Sequence, residues 1–246
     1  MTKLIFVGCL SKEQYQDTIN NAVKIIQKLD PEYEEIDDVP CCGSLLFHTS
    51  TDDETNIHVQ DVHNWFKSND VSDIITICAG CYNYLTRYYK EIISDFNINV
   101  KHILQFIAED GNIEKLNLKY PGKRLAVNYH DPCHLKNAVN PILNEPRKIL
   151  ESIENIEFKE MENYGKLSLC CGSGGGVYSI FKENSDYNAL AIFKQMRRTK
   201  LLLTSCPFCY TAFKRIYDDR KNKVRTPIMK FEDFIVKLME GVDPLA

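Results

Sequence analysis

No apolar stretch in the 246 residues approaches the roughly 18–20 needed for a bilayer-spanning helix, so no direct membrane span is expected. An excess of positive charge is missing as well. Thirty Lys and Arg stand against 34 Asp and Glu, for a formal charge of −4 and a pI of about 5.9. That balance offers no strong basic field for nucleic acid or anionic lipid. The opening MTKLIFVGCLSKEQ turns polar too soon for a secretory signal, and a cytoplasmic protein is expected. The spacing C-x2-C-x2-C-x3-C, which holds ordinary ferredoxin clusters, does not occur. The chain therefore does not supply a conventional electron wire of its own.

What the chain does have is apolar residues enough for a real core, at 44%, and ten cysteines. In a reducing compartment so many cysteines are more often metal ligands or catalytic groups than structural disulfides. They form one five-cysteine pattern that occurs twice. The first copy is Cys9, 31 residues, Cys41-Cys42-Gly43, then Cys78-x-x-Cys81; the second is Cys133, 36 residues, Cys170-Cys171-Gly172, then Cys206-x-x-Cys209. No cysteine is left over. The flanks repeat too: ITICAGCYNYLTRYY (75–89) aligns with LTSCPFCYTAFKRIY (203–217), and Phe106-Ile107 with Phe234-Ile235. A repeat this long is a duplicated domain, not a solenoid unit of about 20–50 residues.

Each half alternates strand and helix signals. The short apolar runs at 4–8, 73–77, 124–129 and 200–205 suit buried parallel strands. Between them, Ile19, Ala22, Val23 and Ile26, then Leu85, Tyr88, Tyr89 and Ile92, then Phe231, Phe234, Ile235 and Leu238 recur at helical spacing as core stripes. The stretch GNIEKLNLKYPGK (111–123) reads as the connection. The expected architecture is α/β: two pseudo-symmetric halves, 1–118 and 119–246, each with a mainly parallel sheet and a five-cysteine motif.

Cys9, Cys78, Cys133 and Cys206 fall at the carboxyl ends of expected strands, where open α/β sheets place their ligands. Cys81 and Cys209 then enter the first turn of a helix, whose positive end favours thiolate. Adjacent cysteines normally diverge. Cys41-Cys42 and Cys170-Cys171 reach one centre only from an irregular turn, or by binding different atoms of a polynuclear cluster, and Gly43 and Gly172 permit such a turn. Five thiolates also exceed the four of a tetrahedral zinc or cubane site. Zinc in one half remains the main alternative. Disulfides fit poorly, because five cysteines per half leave one unpaired.

GSGGGV (172–177) fails the dinucleotide fingerprint at Val177; its small residues suit close approach to a cluster or substrate. The first copy has GSLLFH (43–48) there, so if glycines make room for substrate, the second site is the more open. His130 and His134 flank Cys133 and are candidates for protonating a leaving thiolate or donating to cluster sulfur; a structural role in a turn is the alternative. His58 and His63, in a polar helical stretch, are expected to be solvated, as is the basic segment at 215–225. Tyr82, Tyr84, Tyr88 and Tyr89 read as core or groove residues.

The paired pattern resembles the cysteine-rich CCG domain of heterodisulfide reductase catalytic subunits, found also in thiol:fumarate reductase and in accessory subunits of lactate, glycolate and glycerol-3-phosphate oxidation. HDPCHL (130–135), EPR (145–147), CCGSGGGV (170–177) and CPFC (206–209) make the second half the closer match. The resemblance implies a noncubane 4Fe-4S cluster on each five-cysteine set, reduction of a disulfide or oxidation of two thiols, and a ferredoxin-like iron-sulfur subunit as partner, with a flavoprotein subunit upstream of it. An electron-transfer subunit of an organic-acid dehydrogenase and a zinc-bearing structural subunit are the competing readings.

Overall fold

Leu4, Ile5 and Phe6 in the first half and Leu201, Leu202 and Leu203 in the second are each at most 1% exposed. Continuous burial of this kind requires cover on both faces of a strand, which parallel sheets with helical crossovers provide. The computed structural model, which describes residues 1–196 and 198–246, has two such sheets. The first contains β1 (Thr2–Phe6), β2 (Tyr33–Glu34), β3 (Val71–Thr76) and β4 (Asn99–His102) in the order β2-β1-β3-β4. The second contains β5 (Leu125–Tyr129), β6 (Ile156–Phe158), β7 (Leu201–Thr204) and β8 (Ile228–Lys230) in the order β6-β5-β7-β8. Every pairing is parallel, and the second sheet repeats the order of the first. The four apolar runs named from sequence are β1, β3, β5 and β7.

Side chains alternate across β1 and β3, and the alternation sorts them into two cores. Leu4, Phe6 and Ile74 pack with Val59, Val62 and Phe66 of the helix Asp52–Ser68. Ile5, Val7 and Ile75 face the other way, into a core that also holds Leu202, Phe213 and Phe234 of the second half. The two sheets thus share one apolar core. Across it the helix Gln16–Leu29 packs against Phe231–Met239, and Ala79–Asn83 against Cys133–Lys136.

Two expectations need amendment. The connection at 111–123 carries a helix, Asn112–Leu116, and a parallel bridge from Lys119 to Glu154. The Leu85 stripe is not a plain α-helix either. Ala79–Asn83 runs into a π turn at Tyr84–Tyr88 before α geometry returns at Tyr89–Ile92, whereas its counterpart Pro207–Asp218 is continuous. The wider turn stacks Tyr84 on Tyr88, with ring centroids 4.8 Å apart.

One polar knot holds the turn before Cys133. Arg147 donates through Nη1 and Nη2 to the two carboxylate oxygens of Asp131 at 2.7 and 2.9 Å, and through Nε and Nη2 to Glu160 at 2.7 and 3.0 Å. Asp131, only 1% exposed, also accepts from the Gly165 N–H at 2.7 Å. Replacing Arg147 strands that buried carboxylate. Arg147→Met is expected to lower unfolding free energy by about 3–5 kcal/mol, measured as the shift in a denaturant midpoint.

At the end of β4, burial pushes the fully covered His102 down to about 3 from its ordinary 6.5. Below pH 6.5 the unfolded chain takes up a proton that the folded one refuses, so stability is lost as pH falls from 6.5 toward 3. Urea titrations between pH 7 and 5 should give a shallower pH slope for His102→Gln than for the parent protein.

Candidate metal centre

In each sheet the two middle strands are neighbours whose onward connections leave to opposite sides, which opens a crevice at their carboxyl ends. Cys9 begins a helix two residues after Val7, beyond β1, and Cys78 caps the helix that follows β3 and carries Cys81. The other two thiols come from the loop before the helix Leu46–Thr49. Cys41 Sγ lies 3.5 Å from Cys9 Sγ, and Cys42 Sγ lies 3.3 Å from Cys81 Sγ. The adjacent thiols keep contact with each other while each also meets a thiol placed by a different strand. Gly43 permits this with φ 74°, and its N–H points at Cys41 Sγ at 3.5 Å. Tyr89 donates to the Cys42 carbonyl at 3.0 Å, and His58 Nε2 lies 2.9 Å from the Cys41 carbonyl.

The second half repeats the arrangement. Cys133 opens the helix after β5, and Cys206 caps the helix carrying Cys209 after β7. Cys170 Sγ is 3.8 Å from Cys133 Sγ, Cys209 Sγ is 3.3 Å from Cys171 Sγ, and the Gly172 N–H points at Cys170 Sγ at 3.4 Å. Gly172 has φ 72° and rests against Asn188. All ten cysteines are free thiols: Cys9, Cys41 and Cys170 exposed, Cys133 partly so, and the other six buried.

The electrostatics also repeat. Contacts from the Cys42 and Cys9 thiols, helped by the Gly43 N–H, draw Cys41 far below the ordinary thiol range. Contacts from Cys133 and Cys171, helped by the Gly172 N–H, do the same to Cys170. Their donors move up, Cys42 to about 12 through its contact with Cys41. Each set thus has an exposed sulfur drawn toward thiolate, and in the first set the buried Cys78 is drawn down as well by its contact with Cys81. Among the described residues, no three or more His, Cys, Asp or Glu are spaced to hold a single metal ion; in the first set the thiols follow one another in contact as Cys9, Cys41, Cys42, Cys81 and Cys78. Five convergent soft donors, two of them adjacent on a glycine turn, fit a polynuclear iron-sulfur group, which several thiolates bind through different atoms.

A cavity of about 250 Å³ joins the halves. Cys9, Cys41 and Gly80 lie on one side of it; His134, Phe208 and the loop Ser173–Gly176 lie on the other. The thiols on its wall are those of the first set, which corrects the expectation that the second site is the more open. The glycine loop uses its small size against protein: a Cβ on Gly175 would sit 3.2 Å from His48, and one on Gly176 3.3 Å from Leu45. His134 faces the cavity beside Gly80 and Tyr84, and burial lowers its basicity. His130 is 1% exposed, reaches Ser168 through Nδ1 at 3.4 Å and has no partner for Nε2; burial pushes it down to about 4.

Three other expectations change. His58 is not merely solvated but braces the Cys41 turn, and His63 is buried, with its nearest carboxylate, Asp95, at 3.5 Å. Helical periodicity placed both on a polar stretch and could not show that the stretch crosses the cysteine turn. Within the basic segment, Arg215 is fixed by Asp186 at 2.5 Å and by the Tyr178 ring, while Asp218 to Lys221 are exposed. His48 was not singled out in the sequence. Its Nε2 lies 2.5 Å from Tyr84 OH at the junction of the halves, and the lone sign of it was its place in GSLLFH.

The profile of the cysteine-rich domain, CCG, matches residues 4–86 and again 127–214. The chain belongs to this cysteine-rich domain family. It is 34% identical over 206 residues to a fumarate reductase (CoM/CoB) subunit of Methanothermobacter marburgensis, a match covering 83% of this chain and 40% of that one. It is 27% identical over 249 residues to a dihydromethanophenazine:CoB-CoM heterodisulfide reductase subunit of Methanosarcina barkeri, covering 96% and 58%. It is 30% identical over 222 residues to a probable glycolate oxidase iron-sulfur subunit of Bacillus subtilis, covering 85% and 48%. The chain thus spans about half the length of these relatives.

The CCG glycine is the position in this family fold where substitution is most directly testable. A Cβ on Gly43 would lie 2.5 Å from His58 Cδ2, on a backbone already at positive φ. Gly43→Ala should destabilise the protein by about 1–3 kcal/mol. Adding His58→Ala removes the steric part and should recover some of the loss, as followed by thermal unfolding of both variants.

Proposed function

We propose that the chain is an iron-sulfur redox subunit that reduces a disulfide, or oxidises two thiols, with one noncubane 4Fe-4S cluster in each half. Cys9, Cys41, Cys42, Cys78 and Cys81 hold the first within residues 1–118; Cys133, Cys170, Cys171, Cys206 and Cys209 hold the second within residues 119–246. The observation that carries this reading is the cavity to which both halves contribute. Cleaving a disulfide consumes two electrons and two protons, RSSR′ + 2e⁻ + 2H⁺ → RSH + R′SH, while iron-sulfur centres ordinarily pass electrons singly. One such centre, at Cys9 and Cys41, borders the cavity, and the second, held in the other half, makes up that count. When bound, the clusters supply one-electron exchange and iron to capture sulfur.

The chain's own residues do the rest. Burial disfavours the charged imidazolium of His134, so a proton taken up there is readily passed to a departing thiolate. Phe208 and Leu45 give the cavity apolar wall that limits water. Similarity to subunits of a heterodisulfide reductase and a CoM/CoB fumarate reductase supports a small-molecule disulfide or dithiol as substrate. Electrons would come from a ferredoxin-like iron-sulfur subunit, with a flavoprotein subunit upstream of it, since the chain has no ferredoxin spacing of its own. Among the described residues, no helix is long and apolar enough to cross a membrane.

A second reading, an electron-transfer subunit of an organic-acid dehydrogenase, is favoured by the glycolate oxidase relative. Iron and sulfide analysis on anaerobically purified protein should find about eight irons per chain. Zinc without acid-labile sulfide rejects the clusters, and about four irons with one zinc points to zinc in one half. EPR with candidate disulfides separates the remaining pair. A substrate that perturbs a cluster signal, with turnover lost in Cys42→Ala or Cys171→Ala, supports catalysis; unperturbed signals with free electron passage between partner proteins support the second reading.

A further inference from the structure

A second cleft, of about 360 Å³, lies behind the cavity. Gln14 lines both. Between them stands a pair of hydroxyls: Tyr15, on the cleft side, has its OH 2.6 Å from Oγ1 of Thr211, which lines the cavity. Thr211 donates to the Pro207 carbonyl at 2.8 Å, so Tyr15 donates to Thr211 at rest, and a proton passes on when the Thr211 hydroxyl turns from that carbonyl to the cavity. Hydroxyls that both donate and accept can pass a proton along without ionising.

On the cleft side of that pair sits Lys230, the last residue of β8 and only 3% exposed. Its Nζ lies 3.1 Å from the centre of the Tyr15 ring and 4.9 Å from that of Tyr210, and donates to Thr18 Oγ1 at 3.1 Å. Asp233 is nearby but is held by Thr18 and Asn21, at 3.0 and 2.9 Å. A purely structural ammonium would be expected to take the carboxylate directly. This one is left against two aromatic faces and a hydroxyl.

We propose that protons enter the cavity from this cleft, with Lys230 as the store at its inner end and the Tyr15–Thr211 hydroxyl pair as the relay through the wall. The proposal rests on the redox reading above, in which the cavity consumes protons. Each disulfide cleaved takes two electrons from the reduced iron-sulfur centres and two protons drawn from water in the cleft, and leaves as two thiols. Burial lowers Lys230 to about 8, so it exchanges its proton near neutrality. The groups facing it are Tyr15 and Thr18 at the start of the helix Gln16–Leu29, Tyr210 on Pro207–Asp218, Glu232 and Asp233 on the following helix, and Cys206 after β7. The acids and the thiol oppose the effect of burial.

The test uses the full chain carrying its clusters. Stopped-flow mixing with a chemical reductant follows cluster reduction by absorbance and proton uptake with a pH-indicator dye. Tyr15→Phe, which keeps the ring, and Lys230→Met should leave cluster content and electron uptake unchanged, slow proton uptake about tenfold or more, and regain speed with added imidazole, a small proton carrier. A residue that only braces the fold would not respond to imidazole. Should Lys230→Met fail to fold, Tyr15→Phe carries the comparison. Uptake as fast as in the parent protein, a slowing that imidazole does not relieve, or no uptake in the parent protein overturns the inlet. A parent protein that takes up protons by this route but turns over no disulfide sinks the disulfide reading alone.

Discussion

The site depends on one topological constraint: β1 and β3 are hydrogen-bonded neighbours, as are β5 and β7, while the chain leaves each pair in opposite directions. The space left open at their carboxyl ends is where Cys9 meets Cys78 and Cys133 meets Cys206. Helix starts at Cys78 and Cys206 then bring Cys81 and Cys209 back to the same point. Three of the five thiols in each half are thus placed by two strand ends. The other two come from the adjacent pair, in a turn that the positive φ of the following Gly43 or Gly172 permits.

Most of the sulfur in each set of five behaves as small apolar surface. The six buried cysteines belong to, or border, the two hydrophobic cores. Cys41 and Cys170, both drawn down from the ordinary thiol range, are reached by solvent, while in the first half the buried Cys78 is drawn down too through its contact with Cys81.

The halves have diverged where they meet. The position at the end of the fourth strand is His102 in one and Lys230 in the other, both covered, one abutting the opposite half and the other a solvent cleft. The first CCG turn is braced by His58 and Tyr89, while the second rests on Asn188. The glycines of 174–176 have no counterpart in GSLLFH, and their role is to let one half lie close against His48 and Leu45 of the other. Duplication gives two ligand sets, but a common cavity requires the two copies to differ.

Spacing alone located the duplicated cysteine sets, the four central strands and the strand-end position of the thiols. These follow from local rules: apolar runs, helix starts and the repeat itself. The sequence could not say that the first set lines the cavity, that the glycine loop packs on protein, or that His58 and His63 leave solvent. It gave no sign that Tyr15 and Thr211, 196 residues apart, share a hydrogen bond through the cavity wall. The His58 and His63 contacts depend on tertiary packing within the first half; the others depend on how one half docks on the other. Docking is fixed by the shared core, whose contacts pair residues far apart in sequence and leave no periodic mark in either segment.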